Sequence, residues 1–498
     1  MNILDIIDNI KVKTIYGNLP ESVNNISQDS RKVGEGDVFV AIKGYTVDGH
    51  NYIEKVIEQG AALVIASRYD NYNVENCAVI VIKEHEIEKI ASMIAKKINE
   101  GSDVHTVAVT GTNGKTSIST LVHNMLRTLG ESSAYIGTNG FGKNDAEPVY
   151  FGNTTPDVVT LHNQIGELRR DNIKNLAFEA SSHAMALGRI YNVDIDVAIF
   201  TNLTHEHLDF HGDMQTYAYD KSLLFSTLGN NLSEAKYGVL NKDDSYYKII
   251  SKCLYQQEIN YSIVDNTADF YAYNIKQYKE DKVYKTSFTL RSPEGTFECT
   301  TNYIGDFMVS NVLAALIAVW IKGYSVEQLV GILPKLGALY GRMEILGDDL
   351  PIDIISDFAH TPDGYEKLLE ATREIRKGKR TLLVTGMGGG RDISKGPLIG
   401  EIISEADYVV ITTDSPRDED VEVLMGSIEK GMTHKNYEKV WFRTDAVKRI
   451  IELSEPGDVV ILASKGREDY EILQGGKKVW HSDPIVAVEE AKKKFNIK

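Results

Sequence analysis

The stretch from Val107 to Thr120, "VAVTGTNGKTSIST", places two glycines and one lysine between an apolar run and a helical pattern. Gly111 and Gly114 allow the backbone to turn its N–H groups toward an anion, and the ammonium of Lys115 adds a positive charge. Strand, glycine loop and helix form the context that a phosphate-binding loop requires. The strict pattern has a glycine where this chain has Val109, so the sequence predicts a shorter T-G-T-N-G-K-T variant. A glycine turn with a solvated lysine is the alternative.

Acids and histidines form a second polar group, downstream of this loop. "FEASSHAMALGR" places Glu179 near the end of a predicted strand, ahead of His183. "TNLTHEHLDFHG" adds, within seven residues, His205, Glu206, His207, Asp209 and His211. So many histidines could indicate zinc, but no cysteine is near, and a phosphate loop upstream favours Mg²⁺ with Glu179 as a ligand. A polar loop with a capping acid is the alternative.

Three further segments carry polar residues whose role the chemistry alone does not reveal. "YAYDKSLLF" places Lys221 on an amphipathic helix, where a surface lysine is the expected interpretation. "NKDD" (241–244) and "GDFMVSNVLAA" (305–315) are typical of a turn and a helix start.

Composition limits the classes of protein that this chain can represent. It has 498 residues, 42% of them hydrophobic, and a formal net charge of −17. At roughly 150 residues per domain, this length predicts about three domains. The charge argues against nucleic acid or an anionic membrane as a partner, because both need basic patches. The three cysteines match neither a disulfide framework nor a zinc site, and no signal peptide or apolar run of about 18 residues is found. We therefore expect a cytoplasmic monomer without membrane insertion.

Three α/β units are predicted to position these groups. In residues 1–104, "GDVFVAIKG" and "HNYIEKVIEQGAALVIAS" alternate strand and helix. Residues 105–338 begin with the phosphate loop and continue with strands in "NLAFEA", "VDIDVAIFTNL" and "AKYGVLN". "KVYKTSFTLRS" and "TFECTTNYIG" predict an antiparallel hairpin attached to a mostly parallel sheet.

Residues 339–498 repeat strand and helix in a doubly wound, Rossmann-like pattern. The predicted strands are "IDIISDFA", "RTLLVTG", "YVVITTD", "KVWFRTD" and "DVVILAS", each followed by an amphipathic pattern. "GMGGGRD" does not fit a dinucleotide loop, because Gly386 and Gly388 are followed by Arg391 where a third glycine is required.

Taken in order, short segments along the whole chain resemble the Mur ligases of peptidoglycan synthesis, and among them the ligase that adds the third residue of the stem peptide. The matching segments are "TGTNGKT", "NTTP", "EASSHAMALGR", "NLTHEHLDFHG", "YDKSLLF", "NKDD", "GDFMVSN", "YGRME", "DFAHTPD", "GGGRD", "DSPR" and "SKGREDY". Residues 29–53 resemble the uridine-binding N-terminal domain of the family. The resemblance implies a small α/β uridine-binding domain, a central P-loop-like mononucleotide-binding domain and a Rossmann-like C-terminal domain.

The resemblance also implies a reaction. Such enzymes transfer the γ-phosphoryl group of ATP, with Mg²⁺, to the D-Glu carboxylate of UDP-MurNAc-L-Ala-D-Glu. The amine of a diamino acid then attacks the acyl phosphate. Lys115 and Mg²⁺ would neutralise charge during the transfer.

Residue roles follow from the same resemblance. The phosphate loop comprises Gly111, Thr112, Asn113, Gly114, Lys115, Thr116 and Ser117. Metal-site positions are Thr116, Glu179, His207 and Lys221, the last as a carbamylated lysine. Positions around adenine, ribose and phosphate are Asn311, Arg342, Asp357 and His360. Positions on the UDP-MurNAc-dipeptide are Asn153, Thr154, Thr155, Ser181 and Arg189, with Ser30 on the uridine. Positions around the amino acid are Arg391, Asp414, Ser415, Arg417, Ser464 and Glu468.

Three positions depart from the family pattern. Leu187 and Met308 stand where relatives often have glutamine and asparagine, so each removes one expected hydrogen bond to substrate. Ser464 stands at a glycine position next to the amino-acid pocket.

The amino acid is predicted from "TTDSPRDED". Diaminopimelate has a second carboxylate that a guanidinium can bind bidentately, whereas the same cation would repel the ammonium of lysine. Arg391 and Arg417 would hold that carboxylate and Glu468 the distal ammonium, which favours meso-diaminopimelate over L-lysine. An ion pair of Arg417 with Asp418 or Glu419 is the alternative.

Other functions fit the sequence less well. A folate polyglutamylating ligase lacks the uridine domain, and a ligase of pseudomurein peptides would also use UDP-linked substrates. A non-catalytic UDP-sugar-peptide binder would be expected to lose Lys115, Glu179, His207 or Lys221, and all four are present. A GTPase-type switch would carry an N-K-x-D string; "NKDD" (241–244) has that form, but it is also one of the segments that resemble the Mur ligases.

Overall fold

The computed structural model describes residues 4–44, 47–280 and 283–497. The N-terminal part contains α1 (Leu4–Asn9), β1 (Thr14–Tyr16), β2 (Ile26–Ser27), β3 (Val38–Val40), α2 (Ile53–Glu58), β4 (Leu63–Ala66), β5 (Ala78–Val81) and α3 (Ile87–Ile98). Its sheet has the order β1-β5-β4-β3-β2, with β1 antiparallel to β5 and the other pairs parallel. This confirms the predicted small α/β unit.

The central part begins at the phosphate loop. Its first half contains β6 (His105–Thr110), α4 (Lys115–Thr128), β7 (Ser133–Gly137), β8 (Gly140–Lys143), α5 (Val158–Arg170), β9 (Asn175–Glu179), α6 (Ser182–Ala186), β10 (Val197–Phe200), α7 (Leu208–His211) and α8 (Met214–Ser226). Its second half contains β11 (Tyr237–Asn241), α9 (Tyr247–Lys252), β12 (Gln257–Ser262), β13 (Phe270–Glu280), β14 (Val283–Ser292), β15 (Gly295–Thr301), α10 (Asp306–Ile321) and α11 (Val326–Ile332).

One sheet runs through this central part in the order β15-β14-β13-β12-β11-β10-β6-β9-β7-β8. The strands from β13 to β7 pair in parallel, while β14, β15 and β8 add antiparallel pairs at the edges. Val107 and Val109 pack with α4 and α10 on one face, and Ala108 packs with α5 and α8 on the other. The alternation follows from the two-residue period of a strand, and both faces are covered, as a parallel sheet requires.

The C-terminal part contains β16 (Glu344–Leu346), β17 (Asp353–Ser356), α12 (Pro362–Thr372), β18 (Thr381–Met387), α13 (Gly396–Ile403), β19 (Tyr408–Thr413), α14 (Val421–Glu429), β20 (Tyr437–Lys439), α15 (Arg443–Leu453), β21 (Val459–Leu462), β22 (Tyr470–Ile472), β23 (Lys478–Trp480) and α16 (Asp483–Phe495). Its main sheet has the order β16-β17-β21-β18-β19-β20, with only β16 antiparallel among these strands. Leu383 packs on one face and Leu382 on the other, so helices cover both faces as predicted.

Two details of the C-terminal prediction are wrong. The strand expected in "KVWFRTD" ends at Lys439, and α15 begins at Arg443. Trp441 and Phe442 between them are exposed, so this apolar run does not enter the core, and Asp445 in the first turn favours a helix start. In addition, a hairpin of β22 and β23 lies between β21 and the next helix, α16.

Three free cysteines are spread over the fold. Cys77 and Cys299 are buried, and burial raises the pKa of each thiol to about 12. Cys253, at the C-terminal end of α9, is half-buried.

Candidate active site

The loop between β6 and α4 has the shape that its glycines predict. Gly111 has φ +152°, and a Cβ there would lie 1.7 Å from the Thr201 hydroxyl oxygen. Gly114 has φ +88°, and a Cβ there would lie 2.7 Å from Asn311 Oδ1. Neither position accepts a side chain, so the backbone approaches its neighbours closely and leaves a cradle open.

Two lysines meet at this loop. Lys115 Nζ donates to the carbonyl oxygens of Gly111 (2.9 Å) and Thr112 (2.8 Å), and Lys221 Nζ donates to Gly111 at 2.8 Å. Burial lowers the pKa of Lys115, and burial together with the charge of Lys115 lowers the pKa of Lys221 well below its usual value. Lys221 is 1% exposed, so it is not the surface lysine that its helical pattern suggests.

Glu179 ends β9 beside the start of α4, with its side chain fully buried. Its Oε1 accepts hydrogen bonds from Tyr135 Oη (2.6 Å), the backbone N–H of Thr138 (2.8 Å) and Thr116 Oγ1 (2.9 Å). Neither Tyr135 nor Thr138 is among the residues predicted from the sequence. Strand β7 pairs with β9 in parallel, so residues at their carboxyl ends meet, and this pairing is the signal that could have found them.

The predicted dipeptide-binding residues gather around Thr155. Thr155 Oγ1 donates to the Glu179 carbonyl oxygen (2.7 Å) and accepts from the Ser181 N–H (3.1 Å), and its carbonyl accepts from Arg189 Nη1 at 2.9 Å. Thr154 Oγ1 lies 3.4 Å from Thr138 Oγ1, and Asn153 is exposed beside them. These residues therefore lie next to Glu179. Ser30 is buried in the N-terminal part, between β2 and β3.

Three histidine rings pack together near the loop. The ring centroid of His183 lies 4.8 Å from that of His207 and 5.4 Å from that of His211. Burial and nearby cations lower the pKa of His207 to about 2, so its imidazole is neutral at physiological pH. His207 also has left-handed backbone, with φ +58°, a strain that often marks functional positions. Within the described part of the chain, no three His, Cys, Asp or Glu side chains converge as a metal-binding group.

Residues of the C-terminal part form hydrogen bonds with the phosphate loop. Arg342 Nη2 donates to Thr116 Oγ1 at 3.1 Å, and Asn113 Nδ2 donates to Asp363 Oδ2 at 2.8 Å. Asp357 accepts from the N–H groups of Met343 and Ala359, each at 2.7 Å, so it is held by backbone donors.

His360 lies in the same region. Burial, with Lys395 and other nearby cations, lowers the pKa of its imidazole to about 3. Lys395 Nζ also lies 3.3 Å from Glu206 Oε1, which joins the histidine loop to the segment after β18. The site thus lies between the central and C-terminal sheets.

A cluster of one buried lysine and two carboxylates lies where the amino acid is predicted to bind. Lys465, fully buried, donates to Asp414 Oδ1 (3.1 Å) and Glu468 Oε2 (3.4 Å). Burial and the charge of Asp414 raise the pKa of Glu468, which Lys465 and Arg391 oppose. Arg391 is exposed.

Two non-glycine residues here have left-handed backbone. Arg417 (φ +54°) donates from Nη1 to the Gly389 carbonyl at 2.8 Å. Among the ion pairs of the described residues, none joins Arg417 to Asp418 or Glu419, so the alternative interpretation of Arg417 is not observed. Ser464 has φ +79°, a backbone conformation that glycine adopts most readily, in agreement with the glycine that the family resemblance places here.

The network around Ser464 was not predicted from the sequence. Arg443 Nη1 donates to Ser464 Oγ at 2.8 Å, and Arg443 pairs with Asp483 at 2.5 Å, both side chains being fully buried. Asp483 also accepts from His481. These residues lie far apart in sequence, and a lone arginine at a helix start gives no signal of burial.

A cavity of the described residues lies away from these groups. It has a volume of about 520 Å³ and is lined by His105, Lys174 and Lys322, among others. His105 begins β6, whereas the phosphate loop follows the end of β6. The cavity therefore lies at the opposite edge of the sheet and contains no predicted site residue. The predicted site residues converge instead at the carboxyl end of β6, around the phosphate loop.

Comparison with known proteins decides the family. Models for the Mur ligase family catalytic domain, the Mur ligase middle domain and the Mur ligase glutamate ligase domain match residues 22–101, 109–319 and 341–466. The chain is 42% identical over 497 residues to the UDP-N-acetylmuramoyl-L-alanyl-D-glutamate–L-lysine ligase of Staphylococcus haemolyticus (strain JCSC1435), covering 99% of both. The chain belongs to the Mur ligase family.

Two solved Mur ligase structures agree with this fold. A UDP-N-acetylmuramoyl-L-alanyl-D-glutamate–2,6-diaminopimelate ligase is similar over 99% of both chains, with a TM-score of 0.69 and 28% identity. The MurF ligase of Thermotoga maritima in complex with ADP covers 95% of this chain and 97% of its own, with a TM-score of 0.64 and 18% identity. The three-domain α/β fold predicted from the sequence is confirmed, and the protein is an ATP-dependent ligase of the Mur type. The domain limits after residues 104 and 338 stay predictions. No helix of the described residues is both long and apolar enough to cross a membrane.

Proposed function

We propose that this Mur ligase adds L-lysine to the D-Glu of UDP-MurNAc-L-Ala-D-Glu in peptidoglycan precursor synthesis. The observation that carries the proposal is a relative, 42% identical over 99% of both chains, whose name specifies L-lysine. The solved diaminopimelate ligase is less similar, at 28% identity. L-Lysine therefore replaces the meso-diaminopimelate that the sequence analysis favoured.

The charged residues around the proposed amino-acid pocket support L-lysine as the substrate. Arg417 Nη1 donates to the Gly389 carbonyl, so one end of its guanidinium already has a partner. Asp414 and Glu468 share the ammonium of Lys465, and two carboxylates around one amine leave acceptor capacity for a second ammonium. The side-chain ammonium of lysine fits such acceptors. Arg391, exposed nearby, would hold the α-carboxylate.

The phosphate loop supplies the site for ATP and for transfer of its γ-phosphoryl group. Gly111 and Gly114 leave room for the phosphates, and Lys115 with Arg342 brings positive charge to where negative charge develops. Asn311, beside Gly114, and His360 are proposed on the nucleotide side. The D-Glu carboxylate oxygen attacks the γ-phosphorus, and ADP leaves.

Magnesium fits the donors at this site. The Thr116 hydroxyl and the Glu179 carboxylate are oxygen ligands 2.9 Å apart, and neutral His207 has a lone pair to offer. Bound Mg²⁺ supplies charge neutralisation at the phosphates. We propose Thr116, Glu179, His207 and carbamylated Lys221 as the residues that hold it.

Carbamylation of Lys221 would form a bond between its deprotonated amine and CO₂; relative to the ammonium, two protons are released and a buried cation becomes an anion. As an ammonium, Lys221 lies beside Lys115 with both side chains donating to one carbonyl, an arrangement of like charges in a buried site. A carbamate would reverse the sign of that charge and attract Lys115 instead. In the second step, the α-amine of lysine attacks the acyl carbon, loses a proton and expels inorganic phosphate.

The test is a competition assay with UDP-MurNAc-L-Ala-D-Glu, ATP and Mg²⁺, with products identified by mass. We expect kcat/KM for L-lysine to exceed that for meso-diaminopimelate at least ~10-fold, equivalent to about 1.4 kcal/mol. Arg417→Ala should lose residual diaminopimelate use more than lysine use. A wild type that prefers diaminopimelate would overturn the lysine assignment but keep the UDP-linked substrate. A wild type that ligates neither would reject that substrate as well, and the folate and pseudomurein alternatives would then be assayed.

A further inference from the structure

The hairpin of β22 and β23 contacts both substrate regions of the proposed site. The carbonyl of Ile472, on β22, accepts from the Arg417 N–H at 2.9 Å, and its N–H donates to Ser415 Oγ at 3.2 Å. At the hairpin tip, the Gly475 N–H donates to Asp418 Oδ1 at 2.8 Å. Glu468 lies two residues before β22. The hairpin is therefore fixed to the loop of residues 415–418 on the amino-acid side.

The same hairpin reaches the central part of the chain through aromatic contacts. The rings of Tyr470 and Tyr150 have centroids 6.1 Å apart. Lys478 Nζ lies 4.0 Å from the Tyr470 centroid and 5.4 Å from the Tyr150 centroid. Ile472 pairs with Lys478 and Tyr470 with Trp480, so Tyr470 and Lys478 are diagonal neighbours on one face of the hairpin. One ammonium thus interacts with rings from two domains.

Tyr150 precedes the dipeptide loop directly. Asn153, Thr154 and Thr155 follow within five residues, and Thr155 is fixed to the Glu179 carbonyl by its hydroxyl. Tyr150 itself is 47% exposed, so packing within the central part does not explain an aromatic residue at this position. Its ring contacts are to the hairpin.

We propose that Tyr150, Tyr470 and Lys478 are positioning residues that hold the dipeptide loop against the amino-acid loop. The clasp they form brings the incoming amine within reach of the D-Glu carbonyl carbon. This inference rests on the proposed function for the identity of the two substrates. None of the three side chains touches the reacting atoms. They act by joining the loops that do.

The test is steady-state kinetics at saturating ATP and UDP-MurNAc-L-Ala-D-Glu, with the amino acid that the wild type uses as the varied substrate. Tyr150→Ala and Lys478→Ala should each raise KM for the amino acid roughly two- to fivefold, the effect of one exposed cation–π contact. The kcat at saturation should change by less than about twofold, because bound substrates still reach the same catalytic groups. Tyr150→Phe keeps the ring and loses only the hydroxyl next to Tyr470, so it should raise KM less than Tyr150→Ala.

A double variant and a matched control separate the clasp from a general effect. Tyr150→Ala/Lys478→Ala should raise KM no further than Tyr150→Ala alone, because Tyr150→Ala already removes both contacts between the two parts, to Tyr470 and to Lys478. Tyr271→Ala removes another tyrosine–cation contact, with Arg291 at 5.7 Å, that lies entirely within the central part, and it should leave KM unchanged. Thermal unfolding midpoints equal to that of the wild type would show that the variants fold.

Unchanged KM in Tyr150→Ala and Lys478→Ala would overturn the clasp, as would effects that multiply in the double variant. A Tyr150→Phe variant as weak as Tyr150→Ala would also contradict it, since the ring is retained. A wild type that ligates no amino acid would instead refute the proposed function, so the two failures are distinguishable.

Discussion

At the Gly111 carbonyl, two lysine side chains donate to one oxygen. Lys115 and Lys221 approach it at 2.9 and 2.8 Å, in a site where burial lowers the pKa of both amines. Uncompensated charge is costly in such surroundings, so we expect these lysines to serve the proposed ligands rather than stability. Each should be replaceable without unfolding the protein, and each substitution should remove activity for a different reason.

For Lys115→Ala, we expect a loss of kcat of about 10²- to 10³-fold, the effect of removing one charged donor from a transition state. The affinity for UDP-MurNAc-L-Ala-D-Glu should stay within a few fold, because the uridine is proposed to bind the N-terminal domain. Phosphate-release kinetics and titration calorimetry measure the two quantities. Near-normal turnover would contradict the assignment of the phosphate loop.

For Lys221→Ala, the expected loss is that of a carboxylate, since the proposed carbamylation would make this residue anionic. Added formate or acetate should restore part of the activity by occupying the vacated space. Lys115→Ala, which lacks a cation, is the matched control and should gain nothing from either anion. Intact-mass measurement of the active enzyme at neutral pH should show one added CO₂, and an unmodified amine in fully active enzyme would refute the proposal.

At the scale of elements, the start of α16 depends on one buried ion pair. Burial alone would raise the pKa of Asp483, but Arg443 and His481 outweigh it and hold the pKa well below the usual carboxyl range. Asp483→Asn leaves Arg443 buried without its counter-charge, so we expect the free energy of unfolding to fall by about 3–5 kcal/mol. Urea denaturation at neutral pH measures this change.

The same carboxyl gives a pH dependence of known sign. Because its folded pKa is depressed, the stability that Asp483 contributes is present above its unfolded pKa of about 4 and is lost as the pH falls below that value. Wild type should therefore lose more stability than Asp483→Asn on acidification from pH 5 to about pH 2. If the free energies of unfolding of the two proteins fell equally with pH, the Arg443–Asp483 pair would not stabilise the ionised carboxylate.

Across the whole molecule, three polar contacts join the central and C-terminal parts around the phosphate loop: Arg342–Thr116, Asn113–Asp363 and Lys395–Glu206. The last pairs two side chains that are each 11% exposed, so water screens it little. Lys395→Met and Glu206→Gln should each lower kcat/KM by about fivefold or more, equivalent to about 1 kcal/mol, and the double variant should be no worse than either. Multiplicative losses would show that the two residues act separately.

Much of this fold follows from local patterns. The phosphate loop, the parallel strands and the doubly wound C-terminal sheet each have a period or a glycine pattern that the chain displays. "KVWFRTD" misled because apolar Trp441 and Phe442 look buried in sequence yet are exposed in the structure. Periodicity cannot distinguish an apolar residue at the surface from one in the core.

The site was harder to predict because its groups come from distant parts of the chain. Glu179 receives donors from Tyr135 on β7 and from Thr138 just after that strand, and Arg443 reaches Asp483 across 40 residues. Lys221 looked like a surface residue, and only family resemblance assigned it a role. Pairing across a sheet and between domains sets these contacts, and neither is encoded in a short segment.

The uneven burial of the cysteines makes the native chain convenient for fluorescence work. Cys77 and Cys299 are shielded and have thiol pKa values of about 12, whereas half-buried Cys253 is the accessible one of the three. Maleimide dyes react with thiolates, so labelling of the folded protein should be confined to Cys253. A dye there sits on the central part, at the end of α9, away from the phosphate loop. One added cysteine on the C-terminal part would then be enough to follow the distance between the two parts, molecule by molecule, during turnover.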